Sequence, residues 1–295
     1  MKKMYNVRYG VQKIRTKADH FGAMAALTIT GLAAAVALPL AAHAATSTVV
    51  VSPGNMQGWA FFDDNGNGGS GSLVAGPGTP PLGMGSAQLS VNASNQGYAL
   101  GGTSNGGTKL ADLTAVSYST YVQQGNNTIA PALQFNVDSD VTDANNAFQG
   151  RLVYEPYQNG TVTDGQWQNW NALPGVWWLS HSTSQFGGNC GQASPCTFAQ
   201  LEALYPNIGI LNGTGNVVFK AGSGWNVPFV GNVDDLTLGT SANTTTYDLE
   251  PYVVATDKAA CKDNGWQNLA DANGNAFKNQ GDCVSYVASG GKSQH

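Results

Sequence analysis

Short runs in which apolar and polar residues alternate recur along the chain from Ala45 onward. Successive side chains of a strand point to opposite faces, so each run predicts a strand with one buried face and one solvent face. In "TAVSYSTYV" (114–122) the predicted buried face consists of Val116, Tyr118, Thr120 and Val122. Further runs of this kind are "TVVVS", "AQLSVN", "ALQFNVD", "GRLVYEP", "GVWWLS", "NVVFKA", "PFVGNVDDLTLG" and "TTYDLEP". Short strands at this spacing predict an all-β fold, an antiparallel sandwich.

Helical patterns are confined to two places. In "CTFAQLEALYPN" (196–207), Thr197 and Gln200 have the spacing of a capping box, and Pro206 ends the pattern. The second place is the tail, where "DKAACKDNGW" and "FKNQGDCVSYVAS" predict two short helices. A composition shift at 250–256 divides the chain into a sandwich over 45–252 and a C-terminal tail over 253–295. A tail of this size usually needs a disulfide to fold.

The N-terminal segment has the pattern of a secretory signal peptide. Six basic residues within positions 1–20 precede the small-residue apolar run "FGAMAALTITGLAAAVALPLAAHA", which ends in Ala42-His43-Ala44. The run is long enough to span a bilayer as an uncleaved anchor, but Pro39 and the A-x-A motif favour cleavage. We therefore predict a signal peptide over 1–44, a secreted (extracellular or periplasmic) protein, and no stable membrane insertion after cleavage.

Removal of residues 1–44 makes the chain strongly acidic. It then holds 7 Lys and Arg against 17 Asp and Glu, a formal charge of −10, and the basic residues are scattered singly. Such a charge argues against nucleic acid and anionic membranes as partners.

The cysteine count indicates disulfides. All four cysteines follow residue 44, an even number that is typical of a secreted chain. They are Cys190, Cys196, Cys261 and Cys283. Of the three pairings, the local one (190–196 and 261–283) closes the shortest loops, worth about 2 and about 3 kcal/mol on the chain-entropy model. A zinc site does not fit, since there is no C-x2-C spacing and His181 and His295 are the only histidines after residue 44.

Several segments together resemble a known family. They are "GPGTPPLGMGSAQLSV" (76–91), "GRLVYEPY" (150–157), "WQNWNALPGVWW" (167–178), "GWNVPFVGNVDDLTLG" (224–239) and "CKDNGWQNL...FKNQGDCVSYV" (261–287). The chain is similar to secreted bacterial proteins that look like galactose-binding or concanavalin-like sandwiches. The resemblance implies an antiparallel jelly-roll β-sandwich with one short helix and a small disulfide-stapled C-terminal helical tail. It implies no known activity.

The stretch "DDNGNGGSG" (63–71) begins like an EF-hand loop, with Asp63, Asn65 and Asn67 at alternate positions. An EF-hand also needs a glutamate at position 12 and a helix on either side, but position 12 is Val74 and the flanks are β-like or irregular. The EF-hand is therefore excluded. Two interpretations of this stretch remain: an Asn/Gly turn, and a loop that holds a calcium ion together with other loops.

Two other acidic groups are candidate calcium ligands. Asp138 and Asp140 follow a strand at alternate positions and would repel each other unless solvent or a cation lay between them. Asp234 and Asp235 point to opposite faces of their strand. If that strand is central, one of the two is buried and needs a partner or a metal. The sequence thus predicts no required cofactor and, at most, a structural calcium ion.

Aromatic residues are the candidate ligand contacts. They are Trp167, Trp170, Trp177, Trp178 and Tyr157. Trp177 and Trp178 are adjacent, so in a strand one of them must lie outside the core. An exposed indole can stack on a sugar ring while nearby amides and carboxylates bind its hydroxyls. Packing beneath the tail or the 190–196 loop is the alternative interpretation.

Catalytic signatures are weak. His181 has no G-x-S-x-G near it, and Glu155 and Glu250 each precede a proline at a strand end. We therefore predict a secreted, non-catalytic binding protein whose partner is a polysaccharide or cell-surface glycan. The alternatives are a structural or adhesive envelope protein without a small-molecule site, and a glycan-active hydrolase or lyase.

Overall fold

The alternating runs form strands that pack as two sheets in a computed structural model, which describes residues 44–53, 55–182, 184–225, 228–271 and 277–292. The predicted signal peptide lies outside the described residues except for Ala44. The strands are β1 (Ala45–Val51), β2 (Ala60–Asp63), β3 (Ser70–Ala75), β4 (Gly85–Val91), β5 (Gly97–Gly102), β6 (Leu113–Gln124), β7 (Ala132–Asp138), β8 (Gly150–Tyr154), β9 (Trp167–Asn171), β10 (Trp178–Ser180), β11 (Gly209–Ile210), β12 (Val217–Gly222), β13 (Phe229–Thr240), β14 (Asn243–Leu249), β15 (Val253–Val254) and β16 (Leu269–Ala270).

The first sheet is organised around β13. One edge of β13 pairs along most of its length with β6, which in turn pairs with β9. The other edge pairs first with β4 and then with β14, and these are flanked by β3 and β1. All these pairs are antiparallel except β1 with β14, which is parallel and departs from the predicted pattern.

The second sheet has the order β10-β8-β7-β12-β5-β2, and β11 also pairs with β7. Its pairs are antiparallel. The inner faces of the two sheets enclose one large hydrophobic core. The all-β sandwich predicted from the sequence is therefore confirmed.

Strand β6 shows how the alternation positions side chains. The four residues predicted to face inward, Val116, Tyr118, Thr120 and Val122, are all at most 1% exposed. Ser119 on the opposite face is also buried, because β9 lies alongside and Asn169 donates a hydrogen bond to the Ser119 hydroxyl over 3.2 Å. The outer face of the first sheet is therefore not fully solvated.

A β-bulge divides β13 into two halves. Its pairing with β6 shifts register between Asp234 and Thr237, and Asp235 has a left-handed backbone with φ of 57°. A bulge inserts one residue and changes which side chains share a face. As a result, Val233 and Leu236 both contribute to the core, while Asp234 is buried beneath other parts of the chain.

Within the described residues, three short α-helices connect or follow the strands: α1 (Pro156–Asn159), α2 (Phe198–Leu204) and α3 (Gln280–Ala288). The capping box at the start of α2 is confirmed, since Thr197 and Gln200 satisfy each other's backbone N–H groups. Among the described helices, none combines the length and the apolar character needed to cross a bilayer.

The tail has a small hydrophobic core of its own, which includes Ala255, Leu269 and the Cys261–Cys283 disulfide. The second disulfide joins Cys190 to Cys196, so the local pairing is confirmed. The helix predicted over "DKAACKDNGW" is wrong. Asp263 and Asn264 have φ of 51° and 67°, which a right-handed helix does not allow, and a 3₁₀ turn follows. The domain boundary near residue 252 stays a prediction.

Candidate functional site

A cleft of about 590 Å³ lies on the outer face of the second sheet. Its floor comes from β7, β8, β10 and β12. Residues of these strands such as Leu133, Leu152 and Phe219 point into the core, so the residues between them point outward. One row across the floor follows the strand pairing and runs from Gln134 through Val153 to Trp178.

One end of the cleft is aromatic. The Nε1 group of the half-buried Trp178 donates to Oε2 of Glu155 over 2.9 Å, and Nε2 of Gln192 donates to the same oxygen over 3.0 Å. Gln192 lies within the loop closed by the Cys190–Cys196 disulfide, which holds it over the sheet. Tyr157 of α1 is 45% exposed at this end, and its hydroxyl oxygen lies 3.4 Å from Nε2 of Gln192.

The other end of the cleft is charged. Asp64 accepts hydrogen bonds from Nη1 of Arg151 (2.7 Å) and from Nζ of Lys220 (2.5 Å). The side chain of Asp64 is 8% exposed. Burial raises the pKa of Asp64, but the hydrogen bond from Lys220 and the charge of Arg151 outweigh it and hold the pKa below its usual value. Asp64 is therefore ionised at neutral pH.

The turn "DDNGNGGSG" positions Asp64 at the charged end of the cleft. The carboxylate of Asp63 accepts from the backbone N–H groups of Asn65 (3.2 Å), Gly66 (2.8 Å) and Gly68 (2.6 Å). These bonds lower the pKa of Asp63, the one from Gly68 most. Asn65 donates to the Ser223 hydroxyl over 2.9 Å, which ties the turn to the opposite wall of the cleft. The side chains thus form an Asx-type turn.

The predicted calcium ligands have protein partners, and Asp138 also accepts from the backbone N–H of Asp140 over 2.9 Å. Asp138 is buried and accepts from Nε2 of Gln149 over 2.7 Å, whereas Asp140 accepts from the backbone N–H and hydroxyl of Thr142. Asn67 donates its backbone N–H to Oδ1 of Asn65. In the part of the chain that the structure describes, no three His, Cys, Asp or Glu side chains are grouped as metal ligands. Calcium binding stays a prediction.

Asp234 is buried under the segment that joins β3 to β4, residues 76–84, here called the covering segment. Oδ2 of Asp234 accepts from the N–H of Leu82 (3.2 Å), and Oδ1 accepts from the N–H of Leu249 (3.1 Å). Glu250 lies nearby, and its Oε1 accepts from the N–H groups of Met84 (2.6 Å) and Gly85 (3.1 Å). The partner required for Asp234 is therefore the backbone.

The predicted tryptophans occupy three different environments. Trp177 is fully buried and stacks on Phe135 at 5.1 Å between ring centroids, and Trp170 is 7% exposed. Burial of Trp177 and Trp170 does not fit the prediction that they contact a ligand. Trp167 lies on the first sheet, where its Nε1 donates to the Pro77 carbonyl. Of the predicted ligand contacts, the structure brings only Trp178 and Tyr157 together in the cleft.

Several cleft residues were missed from the sequence. The principal ones are Gln134, Arg151, Gln192 and Lys220. A signal was present for two of them, because Arg151 and Lys220 are single basic residues within otherwise apolar strands. Trp225 stands at the rim and packs edge-on against Phe229, with ring centroids 4.9 Å apart.

Comparison with known proteins identifies no family. No protein-family model matches the chain, and no curated protein matches it. The similarity to secreted bacterial proteins therefore stays unconfirmed, including its C-terminal motif.

Solved structures with some similarity include two carbohydrate-binding modules from cellulosomal cellulases of Clostridium thermocellum. The family 11 module matches with a TM-score of 0.37 over 62% of this chain and 88% of the module. A family 11 module from Clostridium thermocellum in complex with a β-1,3-1,4-mixed-linked tetrasaccharide gives a TM-score of 0.35 over 63% of this chain and 91% of that module. A family 30 module gives 0.38 over 62% and 92%. Sequence identity is 11% in each case, and these values do not assign the chain to a family.

Proposed function

We propose that the protein is a secreted, non-catalytic glycan-binding protein and that the cleft on the second sheet is its binding site. One observation carries this proposal: Trp178 and Tyr157 stand beside a fixed set of hydrogen-bonding groups in an open cleft. A sugar ring has an apolar face and a rim of hydroxyls, so it needs an aromatic surface next to polar groups.

The polar groups at the aromatic end are already oriented. Glu155 is 7% exposed, and its carboxylate is held by Trp178 and Gln192. Gln192 is in turn held by the disulfide loop. Groups that are ordered before binding lose little conformational entropy when a ligand arrives. The geometry therefore suits recognition of a saccharide segment that lies across the strands.

Binding fits this cleft better than hydrolysis. Glycoside hydrolysis uses two carboxyl groups, one of which must be a protonated general acid with a raised pKa. The carboxyl groups that line the cleft in the described structure are those of Asp64 and Glu155. Two cations hold the pKa of Asp64 below its usual value, which is the opposite of what a general acid requires. Glu155 is positioned as a hydrogen-bond acceptor, since its Oε2 accepts from Trp178 and Gln192.

The test uses two half-buried tryptophans that lie on different sheets. We expect Trp178→Ala to weaken binding to the best ligand of a polysaccharide panel by about thirtyfold, the loss typical of an aromatic hot spot. Trp167→Ala should leave binding unchanged, because its indole contacts the first sheet and the covering segment. Isothermal titration calorimetry measures both variants.

Three results would contradict the proposal. If Trp178→Ala binds normally and Trp167→Ala does not, the site is on the first sheet. If the wild-type protein binds no polysaccharide, the structural or adhesive interpretation replaces glycan binding. Release of reducing sugars from any ligand of the panel would instead show a hydrolase or lyase. Secretion is tested separately by intact mass, which should correspond to a chain that begins at Ala45.

A further inference from the structure

The charged end of the cleft contains more positive than negative charge. Arg151 and Lys220 share one carboxylate, that of Asp64, and the three side chains are 17%, 10% and 8% exposed. Two cations and one anion leave a net charge of +1 in a largely desolvated position. Buried charge is costly unless it is compensated, so the charged end of the cleft favours the binding of an anion.

Glu155 does not supply that compensation. It is the second carboxylate that lines the cleft, but within the described residues it forms no ion pair with Arg151 or Lys220. Its Oε2 accepts instead from Trp178 and Gln192 at the aromatic end. The cleft therefore has an aromatic end that carries a tethered carboxylate and a separate end with one uncompensated positive charge.

The cations also retain hydrogen-bonding capacity. Arg151 uses Nε for Oδ1 of Asn136 (3.1 Å) and Nη1 for Asp64 and Gln134. Its Nη2 group donates to no acceptor among the described residues, and Lys220 donates to Asp64 alone among them. A planar guanidinium with a free amino group beside an ammonium matches the oxygens of a carboxylate or another oxyanion.

We propose that the cleft binds an acidic glycan, with an oxyanion of one sugar unit on Arg151 and Lys220 and a neighbouring sugar ring against Trp178. This inference rests on the proposed glycan-binding function and specifies its ligand class. The oxyanion is a uronic acid carboxylate or a sulfate ester, which share this chemistry. The rest of the chain is acidic, so the local positive charge must act at short range.

The experiment compares matched ligands by titration calorimetry. The ligands are a hexuronic acid oligosaccharide, the same oligosaccharide after reduction of its carboxyl groups to alcohols, and a sulfated form of that reduced oligosaccharide. We expect the uronic acid form to bind about tenfold more tightly than the reduced form. Its affinity should also fall between about 20 and about 200 mM salt, whereas that of the reduced form should not. Equal binding by the sulfated form would show that any sugar oxyanion is accepted, and weaker binding would identify the carboxylate as the ligand group.

Charge variants test whether Arg151 and Lys220 cause the preference for the acidic oligosaccharide. Arg151→Gln and Lys220→Met each leave a neutral pair with Asp64, so both should reduce the preference for the acidic form to about onefold while the reduced form still binds. Asp64→Asn raises the charge of the floor and should keep or increase the preference. Thermal melting verifies that each variant is folded, and two independent cation variants keep the test valid if one of them is not.

The outcomes separate this inference from the function on which it rests. If the acidic and reduced forms bind equally and Trp178→Ala weakens both, the glycan site stands and the acidic specificity is wrong. If neither form binds and no member of the polysaccharide panel binds, both proposals fail. A preference for acid that survives Arg151→Gln and Lys220→Met would also overturn the assignment to these residues.

Discussion

Buried carboxylates on the outer faces of the two sheets have different partners, and their pKa values shift in opposite directions. On the second sheet, Asp64 lies in an open cleft and is held ionised by two cations. On the first sheet, Asp234 and Glu250 lie under the covering segment and accept hydrogen bonds from backbone N–H groups. Burial raises the pKa of Asp234 to about 8 and that of Glu250 to about 7.

This difference is the one expected between a surface that binds a ligand and a surface that stabilises the fold. A charged group that remains ionised beside solvent can act on a ligand, and its partners fix its geometry. A carboxyl group that is sealed under the chain is protonated more readily and acts on the chain itself. The comparison agrees with the proposed binding site on the second sheet, and it predicts that the first sheet contributes conformational stability and its pH dependence.

The largest expected effect tests how closely the covering segment packs against Glu250 on the first sheet. A Cβ added at Gly83 would lie 1.7 Å from Oε1 of Glu250, and Gly83 also has a φ of +50°. Glu250 cannot move without losing its bonds to Met84 and Gly85. We expect Gly83→Ala to destabilise the protein by about 3 kcal/mol, as the sum of backbone strain and overpacking. Chemical denaturation measures this value.

Gly224 at the rim of the cleft is the matched control. It also has a positive φ, +79°, but a Cβ there would contact nothing within 4 Å. Gly224→Ala should therefore cost only the backbone strain, about 1 kcal/mol. Equal losses in the free energy of unfolding at the two glycines would mean that the covering segment does not pack against Glu250. The first sheet would then be no more tightly covered than the cleft.

A second prediction concerns the pH dependence of stability. Asp234 has a folded-state pKa of about 8, above its usual value of 3.8, so between these values the folded chain binds a proton that the unfolded chain does not. The free energy of unfolding should then rise as the pH falls from about 8 to about 5, by at most about 1.4 kcal/mol per pH unit for one group. Three backbone N–H groups, those of Leu249, Asp235 and Leu82, oppose protonation, but burial dominates.

Asp234→Asn should reduce this slope. The variant should be more stable than the wild type at pH 8, where the buried charge is removed, and less stable at pH 5, where an amide cannot accept both backbone bonds. Glu250, with Asp248 beside it, also titrates in this range, so part of the slope remains. Asp64 does not contribute there, because its lowered pKa affects stability only below its usual value of 3.8. Denaturation curves at pH 5, 6.5 and 8 test the claim, and an unchanged slope in the variant would contradict it.

The fold was largely predictable because its strands alternate. Strand β7 (Ala132–Asp138) coincides with the predicted run, and β13 and β6 differ from theirs only at the ends. Strands β3 and β5 were missed, since "SGSLVA" and "GYALGG" are rich in glycine and serine and give no apolar period. The alternation argument also required one of Trp177 and Trp178 to lie outside the core, but it could not determine which one.

The site was less predictable for a topological reason. Asp64, Arg151 and Lys220 come from β-strand regions far apart in the sequence, and only the order β8-β7-β12-β5-β2 brings them together. No local motif encodes such a group. The conditional prediction for Asp234 did identify a buried carboxyl group, but its backbone partners depend on a loop whose path the sequence does not reveal.

The smallest expected effect concerns Asp63, at the edge of the open face. Its carboxylate accepts three backbone N–H groups of the turn that positions Asp64. We expect Asp63→Ala to lower the melting temperature by a few degrees, because these groups lose their acceptor, and Asp63→Asn to have a smaller effect. If the turn holds no ion, the decrease should be the same in EDTA and in about 10 mM calcium, since only the hydrogen-bond acceptor is lost. The opposite result is that calcium raises the melting temperature of the wild type and not that of Asp63→Ala. This result would show that the turn holds a calcium ion and that the position of Asp64 in the cleft depends on the metal.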